Sequence, residues 1–290
     1  MRITRRALRL VSSSAVAVAL CAAVFVSSPV SAGAASSNKL TITASEYLFK
    51  ISGSPQPGNV QLTFQNSGVD YHMLAILQLK KGVTQKQLDT ALMSDDQSAA
   101  QKLVVGSPVS SPSFLSPQQK TTTITSFKAG HYAAVCFFTA ADGKSHAMHG
   151  MDKIFDVSGS KSSFQPPTDG VTDVTLTDTA VEVPSTGIPK AGWIKVTNAS
   201  SVPRDLALAK YNPGGTYASA SAYFNRTLDH TSVVSPDAPA VIVGGVFGIP
   251  QGKVGYVQST LAPGNYAAVS SNDNSQGADP NEVHLDFTVS

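Results

Sequence analysis

The sequence predicts an all-β protein made of two Greek-key β-sandwiches in tandem, each with a short lateral helix. Charged residues make up only 14% of the 290 residues. Short runs rich in Val, Ile and Thr alternate with Gly, Pro and Asn, which is typical of strands joined by turns. A run of seven residues has a second copy that matches it at five positions, and a segment rich in Ser, Pro and Gly separates the two copies. These observations predict two domains of the same β architecture.

The amino-terminal segment is expected to be an export signal rather than part of the fold. Basic residues precede an apolar run from Ala15 to Val26, which is too short to span a bilayer, and small residues around Ala32 suit cleavage. The segment also loosely matches a twin-arginine signal. We therefore assign residues 1–35 to a signal peptide and expect a secreted, extracytoplasmic protein. No later apolar run is long enough for a membrane span.

Removal of this segment would change the charge of the chain and exclude two classes of partner. Four of the 21 basic residues lie within it, which leaves 17 basic residues against 19 acidic ones. The remaining chain carries a small negative net charge and contains no basic block. Neither nucleic acid nor an anionic membrane surface is therefore an expected partner.

The repeated run belongs to a longer internal correspondence. Gly130–Cys136 (GHYAAVC) matches Gly264–Ser270 (GNYAAVS), and each run precedes a loop and a last strand. Two upstream blocks align in the same order: Asn66–Gly68 with Asn198–Ser200, and His72–Ala75 with Arg204–Ala207. Aligned blocks in one order predict a tandem duplication.

The boundary between the copies is visible as a change in composition. Ser, Pro and Gly dominate residues 159–170, as in many linkers. We predict a first domain at residues 38–158, this linker, and a second domain at residues 171–290.

Within the first copy, the residue pattern predicts seven strands and one helix. Thr84 can cap the helix, Gln87 completes a capping box, and Leu88 and Leu92 share one face. The second copy has a comparable segment at Tyr217–Phe224. The predicted strands are Leu40–Thr43, Tyr47–Ile51, Val60–Gln65, His72–Leu79, Thr121–Thr125, Tyr132–Phe138 and Lys153–Val157.

Four side chains of the first copy suggest its chemistry. Cys136 is the one cysteine outside the signal segment, so it has no disulfide partner and cannot build a multi-cysteine zinc site. His146 and Met151 follow it, and His72 lies upstream. Two imidazoles, a thiolate and a weak thioether are the ligand set of a mononuclear copper site that transfers one electron.

These motifs resemble those of the cupredoxins, the plastocyanin- and azurin-like blue copper proteins. In that family a histidine opens a middle strand, a Gly-x-Tyr-x-x-x-Cys strand supplies the thiolate, and a His-x4-Met loop precedes the last strand. The resemblance implies a cupredoxin-like sandwich for both copies and one copper held by His72, Cys136, His146 and Met151. Nine residues separate the cysteine from the second histidine, more than the family usually has, so a looser hold on His146 is expected.

The second copy departs from this ligand set. Arg204 stands where the first copy has His72, and Ser270 stands where it has Cys136. The loop at residues 271–280 contains no histidine. We expect this copy to be metal-free and to act as a scaffold or a docking surface.

Other interpretations stay open. His149 and Met148 are additional candidate ligands suited to Cu(I), which would make the protein a copper carrier. Cys136 could also be a small buried side chain in a metal-free binding module at the cell exterior, or a nucleophile with His146 as its base. The His-x-His and His-Cys-His strings of two-domain copper oxidases do not occur, so no enzyme is expected. The expected partner is a redox or copper-exchange protein.

Overall fold

The described chain folds mainly into β-strands in this computed structural model, which covers residues 38–94, 97–227, 231–272, 279 and 281–290. The predicted signal peptide lies outside the described residues. Alternating residues give most strands one buried face, as in Lys39–Ser45, where every second side chain is buried. The predicted all-β fold class is confirmed. No helix in the described ranges is long and apolar enough to cross a membrane.

Strands occur throughout the described part of the chain, which contains few helices. The first half contains β1 Lys39–Ser45, β2 Leu48–Ser52, β3 Gly58–Asn66, β4 Ala75–Leu79, β5 Ser111–Pro112, β6 Lys120–Phe127, β7 Gly130–Val135 and β8 Asp152–Val157. The second half contains β9 Val171–Leu176, β10 Val181–Glu182, β11 Ala191–Asn198, β12 Arg204–Tyr211, β13 Ala240–Ile249, β14 Val254–Thr260, β15 Gly264–Ser270 and β16 Val283–Val289. The helices are α1 Gln85–Leu92, α2 Gln97–Gln101, α3 Tyr217–Thr227 and a 3-10 helix at His146–His149.

One sheet passes through both halves. Its strand order is β10-β9-β11-β14-β6-β3-β1-β2, and the halves meet where Tyr256 of β14 pairs with Ile124 of β6. The other sheets of the described chain have the orders β16-β15-β12-β13-β5 and β4-β7-β8. Each of them packs on its own part of the shared sheet, and this gives two sandwiches with apolar cores.

The same pairings occur in both halves. β1 runs parallel to β3, as β9 does to β11, while β6 and β14 pair antiparallel to β3 and β11. β7 lies between β4 and β8, as β15 lies between β12 and β16. A position in one half therefore has an equivalent in the other that can be read from the strand register.

An aromatic cluster fills the contact between the halves. Tyr71 is fully buried and its hydroxyl lies 3.4 Å from that of Tyr223, which is also buried. Phe114, Phe138 and Phe224 pack against these two rings. The halves are thus joined by apolar packing as well as by the shared sheet.

Helix α1 confirms the predicted capping box. The Thr84 hydroxyl accepts a hydrogen bond from the Gln87 amide, and the Gln87 side chain accepts one from the Thr84 amide. Leu88 and Leu92 are buried on one face, as predicted. The predicted helix in the second half is also present as α3, which continues to Thr227.

Two buried asparagines hold equivalent turns. The Asn66 amide group donates to the carbonyls of Asp70 and Leu115 at 2.8 and 3.0 Å, and its oxygen accepts from the Gly68 amide at 2.9 Å. Asn198 makes the matching three bonds in the second half. The turn after Asn66 carries the chain to His72. The predicted strand at His72–Leu79 begins only at Ala75, because His72 makes an isolated bridge to Leu115 instead.

Asn66→Ala is expected to destabilise the protein by about 2–4 kcal/mol, because buried carbonyl and amide groups lose their partner. The matched control is Asn265→Ala, at an exposed position whose side chain accepts one bond from Thr288. That control should change stability by less than about 0.5 kcal/mol. Urea unfolding of both variants measures the difference, and equal losses would contradict the role of Asn66.

A buried carboxyl group predicts a pH dependence. Burial and the neighbouring Asp89 raise the pKa of Asp152 to about 7. The native state therefore keeps a proton that the unfolded chain, with a carboxyl pKa of about 4, has already lost. The stability that this proton provides is complete below about pH 4 and is lost as pH rises through about 7. Asp152→Asn removes the charge. The free energy of unfolding of the variant should therefore equal that of the wild type at pH 4 and be higher than that of the wild type at pH 8. Urea unfolding at both pH values measures this. The same difference in stability between variant and wild type at pH 4 and pH 8 would contradict the raised pKa of Asp152.

Candidate metal centre

Three buried side chains meet at one end of the first sandwich. The Nδ1 atoms of His72 and His146 are 3.2 Å apart, and the Nδ1 atom of His146 is 3.4 Å from the Cys136 sulfur. The three candidate donor atoms all lie within 4.8 Å of one another, and each side chain is 0% exposed. Metal–nitrogen and metal–sulfur bonds are about 2.0–2.3 Å long, so donors this close can share one ion.

Different elements supply the three donors. Cys136 directly follows β7, His146 opens the 3-10 helix, and His72 comes out of the turn that Asn66 holds. Backbone hydrogen bonds connect the segments: the Cys136 amide donates to the Met151 carbonyl at 3.1 Å, and the Met151 amide donates to the His146 carbonyl at 2.9 Å. These backbone bonds therefore fix the positions of the Cα atoms of Cys136 and His146 relative to each other.

The long loop between the cysteine and the second histidine folds back on itself. The Ala140 amide donates to the Lys144 carbonyl at 2.7 Å, and the His146 amide donates to the Phe138 carbonyl at 2.7 Å. Gly143 has a φ of 82°, a left-handed conformation that suits glycine and closes the turn. Despite the length of the loop, His146 is buried and its amide is hydrogen-bonded to Phe138 at the start of the loop.

Both imidazoles are neutral near pH 7. Burial, with a further contribution from His146, lowers the pKa of His72 to about 4. Burial, with a further contribution from His149, lowers the pKa of His146 to about 4. Neutral imidazole is the form that binds metal ions, so neither ring has to lose a proton first.

The Cys136 thiol is held in an apolar environment. Burial raises its pKa to about 12, although the backbone amides of Met73 and Phe138 favour the thiolate. A thiolate at this depth therefore needs a cation beside it. The depth also argues against a nucleophile, because a catalytic cysteine needs an accessible, readily ionised sulfur.

The donor set fits a soft metal ion. Two imidazole nitrogens and a sulfur face one another, and neutral rings bring no positive charge to the cluster. A metal ion would satisfy these lone pairs together and would stabilise the thiolate. The backbone amides that face the sulfur would still donate to it once it is ionised.

The other predicted ligands take different places. Met151 is fully buried in the same core cluster as Cys136. The His149 ring instead lies 3.1 Å from an Asp142 carboxylate oxygen and packs on Tyr47 at 4.6 Å between ring centroids. Met148 lines a cavity beside α1. His149 is therefore not one of the three clustered donors.

A serine from the second half contacts the candidate centre. Ser232 is 0% exposed, and its hydroxyl oxygen is 2.7 Å from the Nε2 atom of His146. Its amide donates to the Thr139 carbonyl at 2.6 Å, and its carbonyl accepts from the Tyr71 amide at 2.9 Å. The sequence analysis missed Ser232 because it lies 86 residues from His146 in a polar segment without a motif.

The turn between β1 and β2 covers the site, and the sequence analysis missed it as well. Tyr47 has a φ of 58°, is 36% exposed, and places its ring edge-on to His146 at 5.1 Å. Glu46 accepts a hydrogen bond from the Val69 amide, and its charge acts on both His72 and His146. This turn separates the His146 ring from solvent.

The equivalent position in the second half holds an arginine. Arg204 is 1% exposed, donates to the Asn281 carbonyl at 2.8 Å, and lies 3.8 Å from carboxylate oxygens of Asp178 and Asp279. Ser270, which replaces the cysteine, is also buried. A permanent positive charge thus stands where the first half has the candidate metal ligand His72.

Comparisons with known proteins show a likeness to solved structures only. No protein-family model and no curated protein sequence matches the chain. The similar structures include sodium-dithionite-reduced auracyanin from the photosynthetic bacterium Roseiflexus castenholzii, which is 19% identical, covers 42% of this chain and 98% of its own, and has a TM-score of 0.29. A multicopper oxidase is 13% identical over 87% of this chain and 88% of its own, with a TM-score of 0.23. The Cu-containing nitrite reductase from Thermus scotoductus SA-01 is 10% identical over 86% of this chain and 60% of its own, with a TM-score of 0.21.

These comparisons correct one prediction. The chain was expected not to be an enzyme, because strings typical of copper oxidases are absent. Two of the structures named above are enzymes, an oxidase and a reductase. The prediction that the chain is not an enzyme is therefore not upheld.

Ser232→Ala should weaken the candidate centre, because the Nε2 atom of His146 loses its partner in a buried site. Removal of a residue that orients a metal-binding histidine lowers metal affinity by roughly 10–100-fold. The matched control is Ser235→Ala in the same segment, whose hydroxyl accepts a bond from the Asp237 amide. Competition with a chelator for added Cu(II) measures the affinity of each variant. An affinity lowered equally in both variants would contradict a specific role for Ser232.

Proposed function

We propose that the protein is cupredoxin-like and binds one copper ion through His72, Cys136 and His146 to transfer single electrons. The observation that carries this proposal is the convergence of two imidazole nitrogens and one sulfur within 4.8 Å in a fully buried cluster. Two histidines and a cysteine with a weak methionine are the donors of electron-transferring copper sites. Met151 is proposed as that weak ligand, since it lies in the same core cluster as the cysteine.

The chain's own contribution is to hold the donors and exclude water. Copper would supply the redox couple that alternates between two oxidation states. His146 is held by its backbone bond to Phe138 and by Ser232, while His72 follows the turn that Asn66 closes. Donors that are already in place need little rearrangement when the charge of a bound ion changes, which favours fast electron transfer.

Burial favours electron transfer over copper carriage. A carrier must pass its ion to a partner, whereas all three donors here are 0% exposed. His149, which could assist exchange, instead contacts Asp142. Tyr47 lies between His146 and the surface, so a redox partner would approach the site there. We further propose an extracytoplasmic location, on the basis of the predicted signal peptide.

Cu(II) added to the protein should produce an intense visible band from thiolate-to-copper charge transfer at one equivalent. Cys136→Ser should abolish the band, because the sulfur ligand is lost. The matched control is Ser270→Ala, at the equivalent strand position of the second half, and it should keep the band. His149→Ala should also keep the band and should retain Cu(I) against a chelator as well as the wild type does.

Two results would contradict this function. A colourless protein that keeps no copper after desalting would favour a metal-free binding module. Weak Cu(I) retention in His149→Ala, with an unchanged Cu(II) spectrum, would favour copper carriage.

A further inference from the structure

A cavity of about 200 Å³ lies in the second half between α3 and the sheet beneath it. Small side chains form its floor: Ala207 and Ala209 of β12, and Ala267 of β15. Phe224 of α3 and Phe114 of the first half contact each other edge-to-face, with ring centroids 6.0 Å apart, and form an aromatic wall. An engineered apolar cavity of about 150 Å³ binds benzene, so this space admits a molecule with a single ring.

The equivalent region of the first half shows why the space is open. In the register of β4 with β7, Leu77 pairs with Ala133, and in that of β12 with β15, Ala209 pairs with Ala267. Leu77 is buried in a cluster with the leucines of α1. Ala209 therefore leaves unfilled a volume that a leucine occupies in the first half.

One wall of the cavity carries a carboxylate. A Glu282 oxygen accepts hydrogen bonds from the Tyr217 hydroxyl at 2.6 Å and the Ser221 hydroxyl at 3.0 Å. In the described part of the chain, Glu282 forms no salt bridge, whereas Asp279 on the same side lies 3.8 Å from an Arg204 nitrogen. A carboxylate beside an apolar enclosure, with hydroxyl donors but no basic partner among the described residues, favours a ligand that brings a positive charge.

We propose that this cavity binds a small molecule with one apolar ring and a cationic amino group. The ring packs on the alanine floor and against the wall that the two phenylalanines form, and the ammonium group pairs with Glu282. The site involves none of the candidate copper ligands, so it is independent of the proposed function.

The test is a titration of the full-length protein with 2-phenylethylamine, followed by ligand-observed NMR in the presence of a chelator. Phenylacetate, which has the same ring and the opposite charge, and neutral 2-phenylethanol are the comparison probes. The amine should bind saturably, and the acetate at least tenfold more weakly. The side chain in Glu282→Gln can still accept both hydroxyl bonds. This variant should therefore bind the amine at least tenfold more weakly than the wild type and bind the alcohol with an affinity within twofold of the wild type.

Ala209→Leu tests the cavity itself, because it introduces the residue that the first half has at this position. It should abolish binding of the amine and of the alcohol. Cys136→Ser should bind the amine as the wild type does. The proposal is overturned by equal binding of amine and acetate, by no saturable binding, by an unchanged affinity in Glu282→Gln, or by lost binding in Cys136→Ser. If Ala209→Leu does not fold, the comparison of Glu282→Gln with the wild type decides.

Discussion

The candidate centre in the first half depends on a contact that the second half provides. Ser232 is fixed by backbone bonds on both sides, to Thr139 and to Tyr71, and its hydroxyl meets the outer nitrogen of His146. This contact sets which nitrogen of the ring faces Cys136. Without it, a buried imidazole would have an unmatched polar atom and freedom to rotate, which is costly in an apolar site. The geometry of the cluster is therefore a property of the whole described chain.

Burial explains the chemistry of the cluster as well as its position. Desolvation lowers the pKa of both imidazoles and raises that of the thiol, so the three groups carry no charge unless a cation is present. The same burial keeps water away from Cys136. Tyr47 links this buried cluster to the surface, because its ring contacts His146 and is also partly exposed to solvent. The site is thus closed to solvent but lies one side chain from the surface.

Local signals in the sequence predicted the local structure well. The capping box at Thr84, most strands of the first half and the grouping of His72, Cys136 and His146 follow from short motifs and their order. Contacts between distant residues left no such signal. The pairing of β6 with β14, the bond from Ser232 and the covering ring of Tyr47 arise only when the halves and turns come together. The cavity beside Ala209 could not be predicted either, because the sequence of a strand does not show whether a neighbouring side chain packs on its alanine.

Arg204 gives the two halves different relations to their surroundings. Its guanidinium is covalently part of the chain, and a carbonyl and two carboxylates surround it. Because this positive charge cannot dissociate, the buried position equivalent to His72 holds its cation as soon as the second half folds. The thiolate form of the first half, by contrast, needs an exchangeable cation from outside. One chain thus combines a buried positive charge that is fixed at synthesis with a buried donor cluster that stays uncharged until a cation joins it. The segment that carries Ser232 joins the two.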